Sequence, residues 1–241
     1  MKTLGLIGGL SWFSTAIYYK AINELVNEQL GGHHSAKLIL YSVNAEEFGL
    51  LMSKSDWPGV ENMFTQIALL LESAGADCVA ICSNTPHLAA DAIRQKIKIP
   101  LLHIAEETAK EAARQKMKTV ALLGTKFTME ESFYKDKLLQ SGIETIIPDS
   151  EDRNYIHTAI INELTQGIFK EETKNKFLGI IDKLKMQNAA GVILGCTEIP
   201  LLINQADCNV SAFDTTRIHS NALVDFALAE EKVRHMSSLH A

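Results

Sequence analysis

The 241-residue chain lacks any apolar run near the roughly 20 residues that a helix needs to span a bilayer. It also lacks an excess of positive charge, since 23 Lys and Arg stand against 29 Asp and Glu and the pI is about 5.8. Nucleic acids and anionic membrane surfaces bind to basic faces, so this balance argues against both as partners. The beginning of the chain, MKTLGLIGG, has no A-x-A-like cleavage site and predicts a first strand rather than a signal peptide.

Cysteine is scarce, and four cysteines are too few for a disulfide framework in a chain of this length. We therefore expect free thiols and a cytoplasmic protein. Metal-ligand spacing is also missing, because Cys82 and His87 have no second pair. His33 and His34 lie beside two glycines in an expected loop. The sequence predicts no metal site.

The glycine turn after the first strand lacks the nucleotide-binding motifs. In GLIGGLSW, a G-x-G-x-x-G pattern that starts at Gly5 would need glycine where Ile7 and Leu10 stand, and no Gly-Lys-Ser/Thr follows. Two interpretations remain. The backbone N–H groups of the turn could bind a carboxylate at the start of the next helix, or the segment is a plain strand-to-helix turn.

What the sequence does have is an alternation of short runs rich in Val, Ile and Leu with longer segments of helical period. Strands are predicted at 4–8, 37–43, 77–82, 118–124, 144–148, 191–195 and 209–213. Helices are predicted at about 13–30, 58–75, 86–97, 104–116, 127–141, 153–166, 171–188 and 214–232. This order predicts an α/β fold of parallel sheets with helices on both faces.

The order of motifs also repeats along the chain. LGLIGGLSW (4–12) resembles VALLGTKFT (120–128), and DCVAICSNT (77–85) resembles AGVILGCTE (190–198). The repeat predicts two similar, pseudo-two-fold related domains with a site in the cleft between them. We expect residues 1–100 with a returning 214–241 to form one domain, and 101–213 to form the other.

Overlaying the second pair of segments places Ser83 on Cys196. Open α/β sheets bind ligands at the carboxyl ends of their strands, so these two residues are predicted to approach one ligand from opposite sides. Cys82 lies one residue earlier, and two-residue alternation turns it away. Cys196 precedes a predicted helix, whose dipole is expected to lower the thiol pKa from about 8.5. A lone cysteine can also be a small buried hydrophobe, which is our interpretation of Cys78 and Cys208.

Five segments in order resemble the cofactor-independent aspartate/glutamate racemase superfamily: GLIGGLSWFSTAIYY, CSNTPH, LLGTKFTME, LGCTEIP and FDTTRIH. The chain is most similar to its aspartate racemase-like and broad-specificity amino-acid racemase branch, from residue 3 to about 220. The resemblance implies two α/β domains, a small amino-acid substrate, no pyridoxal phosphate or other cofactor, and a homodimer. His219 in the last segment is interpreted as structural, while Glu198 and Asp214 could orient neighbours or serve as capping or solvent-facing residues.

The resemblance also implies roles for site residues. One residue removes the α-proton and another returns a proton to the opposite face, and the matching positions are Cys196 and Ser83. The expected substrate-binding groups are Asn84, Thr85 and Thr197, with backbone N–H groups around Leu10 and Glu198.

The chain departs from the family pattern in two places. Many members have cysteine where Ser83 stands, and a serine hydroxyl is a far weaker acid and a poorer base than a thiol. We therefore expect unequal rates for the two enantiomers, with Cys196 as the competent base. The second departure concerns the substrate side chain: Met52 and Thr165 stand where basic contacts would be expected, with Lys54 and Arg153 nearby.

Because a dicarboxylate without a cationic partner is costly to desolvate, the substrate stays open among aspartate, glutamate and a neutral polar amino acid such as homoserine. Three other functions also stay open: a hydantoin racemase, a single-cysteine decarboxylase, and a catalytically silent ligand-binding relative.

Overall fold

A computed structural model of the protein describes the backbone of residues 1–238 and the side chains of residues 1–231. The chain forms two compact units. The first contains Met1–Cys82, Leu88–His103 and the described residues from His219 onward, and the second contains Ser83–His87 and Ile104–Ile218. In the described part of the chain, no helix has the length and apolar character that crossing a membrane requires.

The first unit contains a four-stranded parallel sheet in the order β2-β1-β3-β4. Its strands are β1 (Leu4–Gly8), β2 (Leu38–Ser42), β3 (Cys78–Ile81) and β4 (Leu101–Leu102). Its helices are α1 (Trp12–Leu30), α2 (Ala45–Ser53), α3 (Trp57–Ser73) and α4 (Ala90–Arg94), and a 3₁₀ turn (Thr85–Ala89) precedes α4. The last helix, α11 (Thr215–Ser238), begins in the second unit and continues in the first.

One core cluster of the first unit joins β1, β3, α1 and the later part of α11. Helix α1 begins after Ser11, whose side chain accepts a hydrogen bond from the Ser14 N–H group. Its buried residues recur every three or four positions, as in Tyr18, Ile22 and Leu25, so that one face of the helix packs on the sheet.

The second unit contains a four-stranded parallel sheet in the order β6-β5-β7-β8. Its strands are β5 (Thr119–Gly124), β6 (Glu144–Ile146), β7 (Gly191–Gly195) and β8 (Ser211–Asp214). Its helices are α5 (Ile104–Arg114), α6 (Lys126–Glu130), α7 (Ser132–Gln140), α8 (Ser150–Asn162), α9 (Glu171–Met186) and α10 (Ile199–Leu202), with 3₁₀ turns at Leu164–Gln166 and Gln205–Asp207.

Alternate residues of β5 and β7 belong to two different core clusters. Leu123 and Leu194 pack with α8 and α9, whereas Leu122 and Ile193 pack with α5 and α7. Side chains of a strand alternate between its two faces, so helices cover both sides of this sheet. The predicted α/β fold class is confirmed, and both sheets have the same strand order.

Several local predictions differ from the structure. The helix predicted at 86–97 is a 3₁₀ turn followed by the 5-residue helix α4. The short strand β4 was not predicted. Helix α2 occupies a segment for which no helix was predicted, although Asn44 caps it and Glu46 and Glu47 lie in its first turn. The single helix expected at 127–141 is two helices, because Glu131 has an extended backbone conformation between α6 and α7.

Candidate active site

Cys196 follows the fully buried strand β7, and its thiol is paired with a carboxylate. The Sγ–H group donates a hydrogen bond to Oε2 of Glu198 at 2.9 Å. The Thr197 hydroxyl donates to the same oxygen at 3.0 Å. All three residues are buried, with exposed fractions of 7% for Cys196, 4% for Thr197 and 3% for Glu198. The motif GCTE therefore forms a compact thiol–carboxylate pair at the carboxyl end of a strand.

The electrostatics of Cys196 differ from the sequence-based expectation of a lowered pKa. Burial raises the pKa of this thiol well above its ordinary value, and the charge and hydrogen bond of Glu198 raise it further. The backbone N–H groups of Glu198 and Thr197 act in the opposite direction but are outweighed. Helix α10 spans only Ile199–Leu202, so it contributes little dipole. The resting form is a protonated thiol with a neighbouring proton acceptor.

Asn84 is joined to β7 through a threonine hydroxyl. Its Nδ2 atom donates to Oγ1 of Thr215 at 3.2 Å, and Thr215 Oγ1 donates to the Leu194 carbonyl at 2.9 Å. Leu194 lies in β7, two positions before Cys196. Asn84 Oδ1 is buried and has no hydrogen-bond partner among the described residues. A buried carbonyl without a donor is a group that a ligand can satisfy.

Thr85 takes part in a triangle of three hydroxyl groups. Its Oγ1 lies 3.0 Å from Thr125 Oγ1 and 3.3 Å from Thr128 Oγ1, and the last two are 3.2 Å apart. Thr125 caps α6, where it also accepts from the Thr128 N–H group. The triangle ties the segment after β3 to the turn between β5 and α6.

The backbone of Ser83 is held by a histidine. The Ile104 N–H group donates to Nε2 of His87 at 3.3 Å, so Nδ1 carries the ring proton and donates to the Ser83 carbonyl at 2.9 Å. His87 is 1% exposed, whereas Ser83 is only half-buried. The serine hydroxyl is thus presented on a rigid backbone.

Close backbone packing explains the glycine before Cys196. A Cβ atom on Gly195 would lie 2.7 Å from the Leu123 carbonyl oxygen, and one on Gly124 would lie 2.8 Å from the Gly195 carbonyl oxygen. Strands β5 and β7 pair at these two residues. Only glycine allows the two strand ends to approach this closely.

The remaining predicted contacts, Leu10 and Met52, lie in the first unit. Leu10 is half-buried between β1 and α1, and Met52 is buried on α2. Gly9 has a φ of +88°, and its N–H group donates to Thr15 Oγ1 at 2.8 Å, so this N–H is bound within the turn. A carboxylate-binding role for the neighbouring N–H groups stays a prediction.

The polar residues considered for a substrate side chain have other contacts. Arg153 donates from Nε to Glu130 at 2.9 Å and from NH1 to the Pro148 carbonyl at 2.6 Å. Thr165 is half-buried, and its hydroxyl donates to the Ile161 carbonyl near the end of α8 at 2.8 Å. Lys54 is exposed in the first unit.

Three other candidate residues, Cys78, Cys82 and Asp214, have contacts that serve the fold. Cys82 is fully buried in the core of the first unit, where burial raises its pKa. Burial likewise raises the pKa of Cys78 to about 12. Asp214 caps α11 by accepting from the Thr216 and Arg217 N–H groups. Among the described residues, no group of three His, Cys, Asp or Glu could hold a metal ion.

Four residues that surround the site were missed by the sequence analysis: His87, Thr125, Thr128 and Thr215. All four lie inside the quoted motifs CSNTPH, LLGTKFTME and FDTTRIH. The motifs were the available signal, but threonine and histidine in turns are common, and their partners are distant in sequence.

Comparisons with known proteins bear on the family to which the chain belongs. A model of the Asp/Glu/hydantoin racemase family matches residues 7–223. A Yersinia pestis protein provisionally described as an Asp/Glu racemase is 46% identical, and its crystal structure aligns with 95% of this chain and 100% of its own, with a TM-score of 0.89. The crystal structure of an aspartate racemase homologue from Pyrococcus horikoshii OT3 is 36% identical over 94% of this chain and 99% of its own, with a TM-score of 0.83.

Among curated proteins, the broad-specificity amino-acid racemase RacX of Bacillus subtilis (strain 168) is 27% identical over 162 residues, which are 67% of this chain and 70% of that protein. The resemblance stated from the five motifs is confirmed. Since the family model covers nearly the whole chain, the protein belongs to the Asp/Glu/hydantoin racemase family.

Proposed function

We propose that this member of the family racemises an amino acid with Cys196 and Ser83 acting on opposite faces of the α-carbon. The observation that carries the proposal is the buried hydrogen bond of 2.9 Å between the Cys196 thiol and the Glu198 carboxylate. A thiol with a raised pKa needs a nearby base before it can remove a carbon-bound proton, and Glu198 is such a base.

The proton transfers balance as follows. Glu198 takes the proton of the Cys196 thiol, and the resulting thiolate removes the α-proton of the substrate. Ser83 gives its hydroxyl proton to the opposite face of the carbanion and regains one from water. Glu198 returns its proton to water, so the cycle ends with all three side chains in their starting forms and the substrate inverted.

The charge of the substrate assists the first step. An α-ammonium group beside the pair favours the thiolate over the thiol, because opposite charges stabilise each other in a site of low dielectric constant. Asn84 and Thr197 are the proposed contacts for the amine and carboxylate, with Thr85, Leu10 and Glu198 as further contacts and Met52 near the side chain.

For the substrate we propose an amino acid with a polar side chain: aspartate, glutamate or homoserine. Arg153 is paired with Glu130, so its charge is partly balanced within the protein. Because Arg153 then offers less positive charge to a second carboxylate, the pairing favours a substrate with a neutral polar side chain. The similarity to an aspartate racemase homologue and to a broad-specificity racemase keeps the dicarboxylates in the set.

The test is α-hydrogen exchange in heavy water, followed by proton NMR and by chiral chromatography. The panel contains both enantiomers of aspartate, glutamate, homoserine and alanine, together with a 5-substituted hydantoin. We expect exchange and inversion of at least one amino acid, abolished by Cys196→Ala. Cys208→Ala is the matched control, because that thiol is half-buried in the same unit and outside the motif. Exchange of the hydantoin alone, or binding without exchange, would contradict the proposal.

A further inference from the structure

We propose that Thr215 is a positioning residue that fixes the orientation of the Asn84 amide and thereby makes the site selective for a ligand with an amine donor. The proposal rests on the proposed function, whose catalytic groups do not include Thr215. Thr215 is the first residue of α11 and is fully buried.

The direction of each hydrogen bond follows from the chemistry of the groups. The Leu194 carbonyl can only accept, so the single proton of the Thr215 hydroxyl points to it at 2.9 Å. The hydroxyl then has only lone pairs to offer to Asn84. The side of the amide that faces Thr215 at 3.2 Å must therefore be the NH₂ group.

The opposite side of the amide is fixed by the same chain of bonds. Asn84 Oδ1 has to point away from Thr215, and it is the atom that is buried without a partner among the described residues. Asn84 as a whole is 2% exposed, so bulk water does not satisfy this oxygen. A ligand group that meets it must be a donor. An α-ammonium group offers only donors, whereas an α-carboxylate offers only acceptors, so we assign Asn84 Oδ1 to the amine.

The position of Thr215 links the Asn84 amide to the strand that precedes Cys196. Asp214, the residue before it, pairs with Leu194 in the ladder between β7 and β8. The Thr215 hydroxyl is therefore anchored on the strand that ends at Gly195 and presents Cys196. Loss of the hydroxyl would free the amide to rotate, and its NH₂ group would then repel the ammonium.

The test compares three variants. Thr215→Val keeps the shape but removes the donor and the acceptor, and Thr215→Ser keeps the hydroxyl. Thr216→Val is the matched control, because Thr216 is adjacent and buried and its hydroxyl has no partner among the described residues. The readouts are kcat and KM, thermal unfolding, and calorimetric affinities for two pairs of probes: L-aspartate with succinate, and L-glutamate with glutarate.

We expect the wild type to prefer the amino-acid member of at least one pair. Thr215→Val should lower this preference and kcat/KM by about tenfold, the size of one buried hydrogen bond to a charged group. Thr215→Ser should restore both, and Thr216→Val should change neither. An unchanged preference in Thr215→Val, an equal loss in Thr216→Val, or no amine preference in the wild type would overturn the inference. If the preference for the amino acid depends on Thr215 but no amino acid is racemised, only the proposed function is refuted.

Discussion

The thiol of Cys196 donates a hydrogen bond of 2.9 Å to the carboxylate of Glu198, two residues later in the chain. Both side chains are buried, and Thr197 donates to the same carboxylate oxygen. The pair combines a nucleophilic sulfur that burial keeps protonated with the group able to deprotonate it. The pKa of the Cys196 thiol therefore depends on Glu198 more than on the short helix α10 that follows.

Removal of the Glu198 charge should separate its effect on the thiol pKa from its proposed role as a proton acceptor. In Glu198→Gln we expect a lower thiol pKa, because the charge that disfavours the thiolate is gone, yet about 100-fold slower α-proton exchange, because the proton acceptor is gone. Alkylation of the Cys196 peptide by iodoacetamide, followed by mass spectrometry across pH, measures the pKa. Glu144→Gln, at an exposed carboxylate on β6, is the control. A raised or unchanged thiol pKa would contradict this account.

Substitution of Ser83 tests the two-sided mechanism. Two enantiomers have equal free energy in water, so kcat/KM must be the same in both directions and the expected asymmetry has to reside in kcat. Ser83→Cys should raise kcat/KM about tenfold, because a thiol is the better proton donor and acceptor. Ser83→Ala should abolish inversion while one enantiomer still exchanges its α-hydrogen with retention, since Cys196 alone can remove and return it. Undiminished inversion in Ser83→Ala would exclude Ser83 as the second group.

The buried His219 should make the first unit sensitive to acid. Its ring accepts from the Tyr18 hydroxyl at Nδ1 and donates from Nε2 to the Leu102 carbonyl, and burial lowers its pKa to about 4. Between that value and the usual value near 6.5, the unfolded chain binds a proton that the folded chain does not. The contribution of the neutral His219 to the free energy of unfolding is therefore fully present above about pH 6.5. It is lost as the pH falls toward 4, by up to about 3 kcal/mol.

Urea unfolding across this pH range checks the effect of His219. We expect His219→Gln to be less stable at pH 7 but to lose less stability on acidification than the wild type. His34→Gln, at an exposed histidine, should leave the slope unchanged. Parallel slopes for the wild type and His219→Gln would contradict the assignment.

The hydroxyl triangle should contribute to stability of the second unit. Thr128→Val keeps the shape but leaves Thr85 and Thr125 each without one partner, and we expect a loss of about 1–2 kcal/mol in unfolding free energy with a smaller loss of activity. Thr145→Val is the control, because the Thr145 hydroxyl is buried without a partner among the described residues. Equal destabilisation by both substitutions would mean that the triangle contributes nothing specific.

A matched pair of glycine substitutions tests the close approach of β5 and β7. Gly195→Ala places a Cβ atom 2.7 Å from the Leu123 carbonyl oxygen, so the strand end must shift, and we expect about 1–3 kcal/mol of destabilisation and loss of exchange activity. Gly179→Ala, on an exposed position of α9 with open space around it, should stabilise the protein by about 0.5–1 kcal/mol. Circular dichroism melts and the exchange assay distinguish the two. An active, stable Gly195→Ala variant would refute the packing argument.

The sequence predicted most strands within two residues of their ends, because short runs rich in Val, Ile and Leu between helical segments have a length and period that are local properties. Helix α2 was missed although Asn44 and two glutamates mark its start, since its 9 residues are too few for a helical period to stand out from the sequence around it. The break at Glu131 was missed because the side-chain pattern continues across it, while the backbone does not.

For the site, the sequence alone determined which residues end the strands that carry Ser83 and Cys196, because a buried run followed by polar residues needs no distant partner to be recognised. Only the tertiary structure decided the chemistry of those ends. The thiol pKa depends on burial and on the position of the Glu198 carboxylate. The Asn84 amide donates a hydrogen bond to the Thr215 hydroxyl, which lies 131 residues later in the chain. Contacts between residues so far apart leave no local signal, because they exist only after the chain has folded.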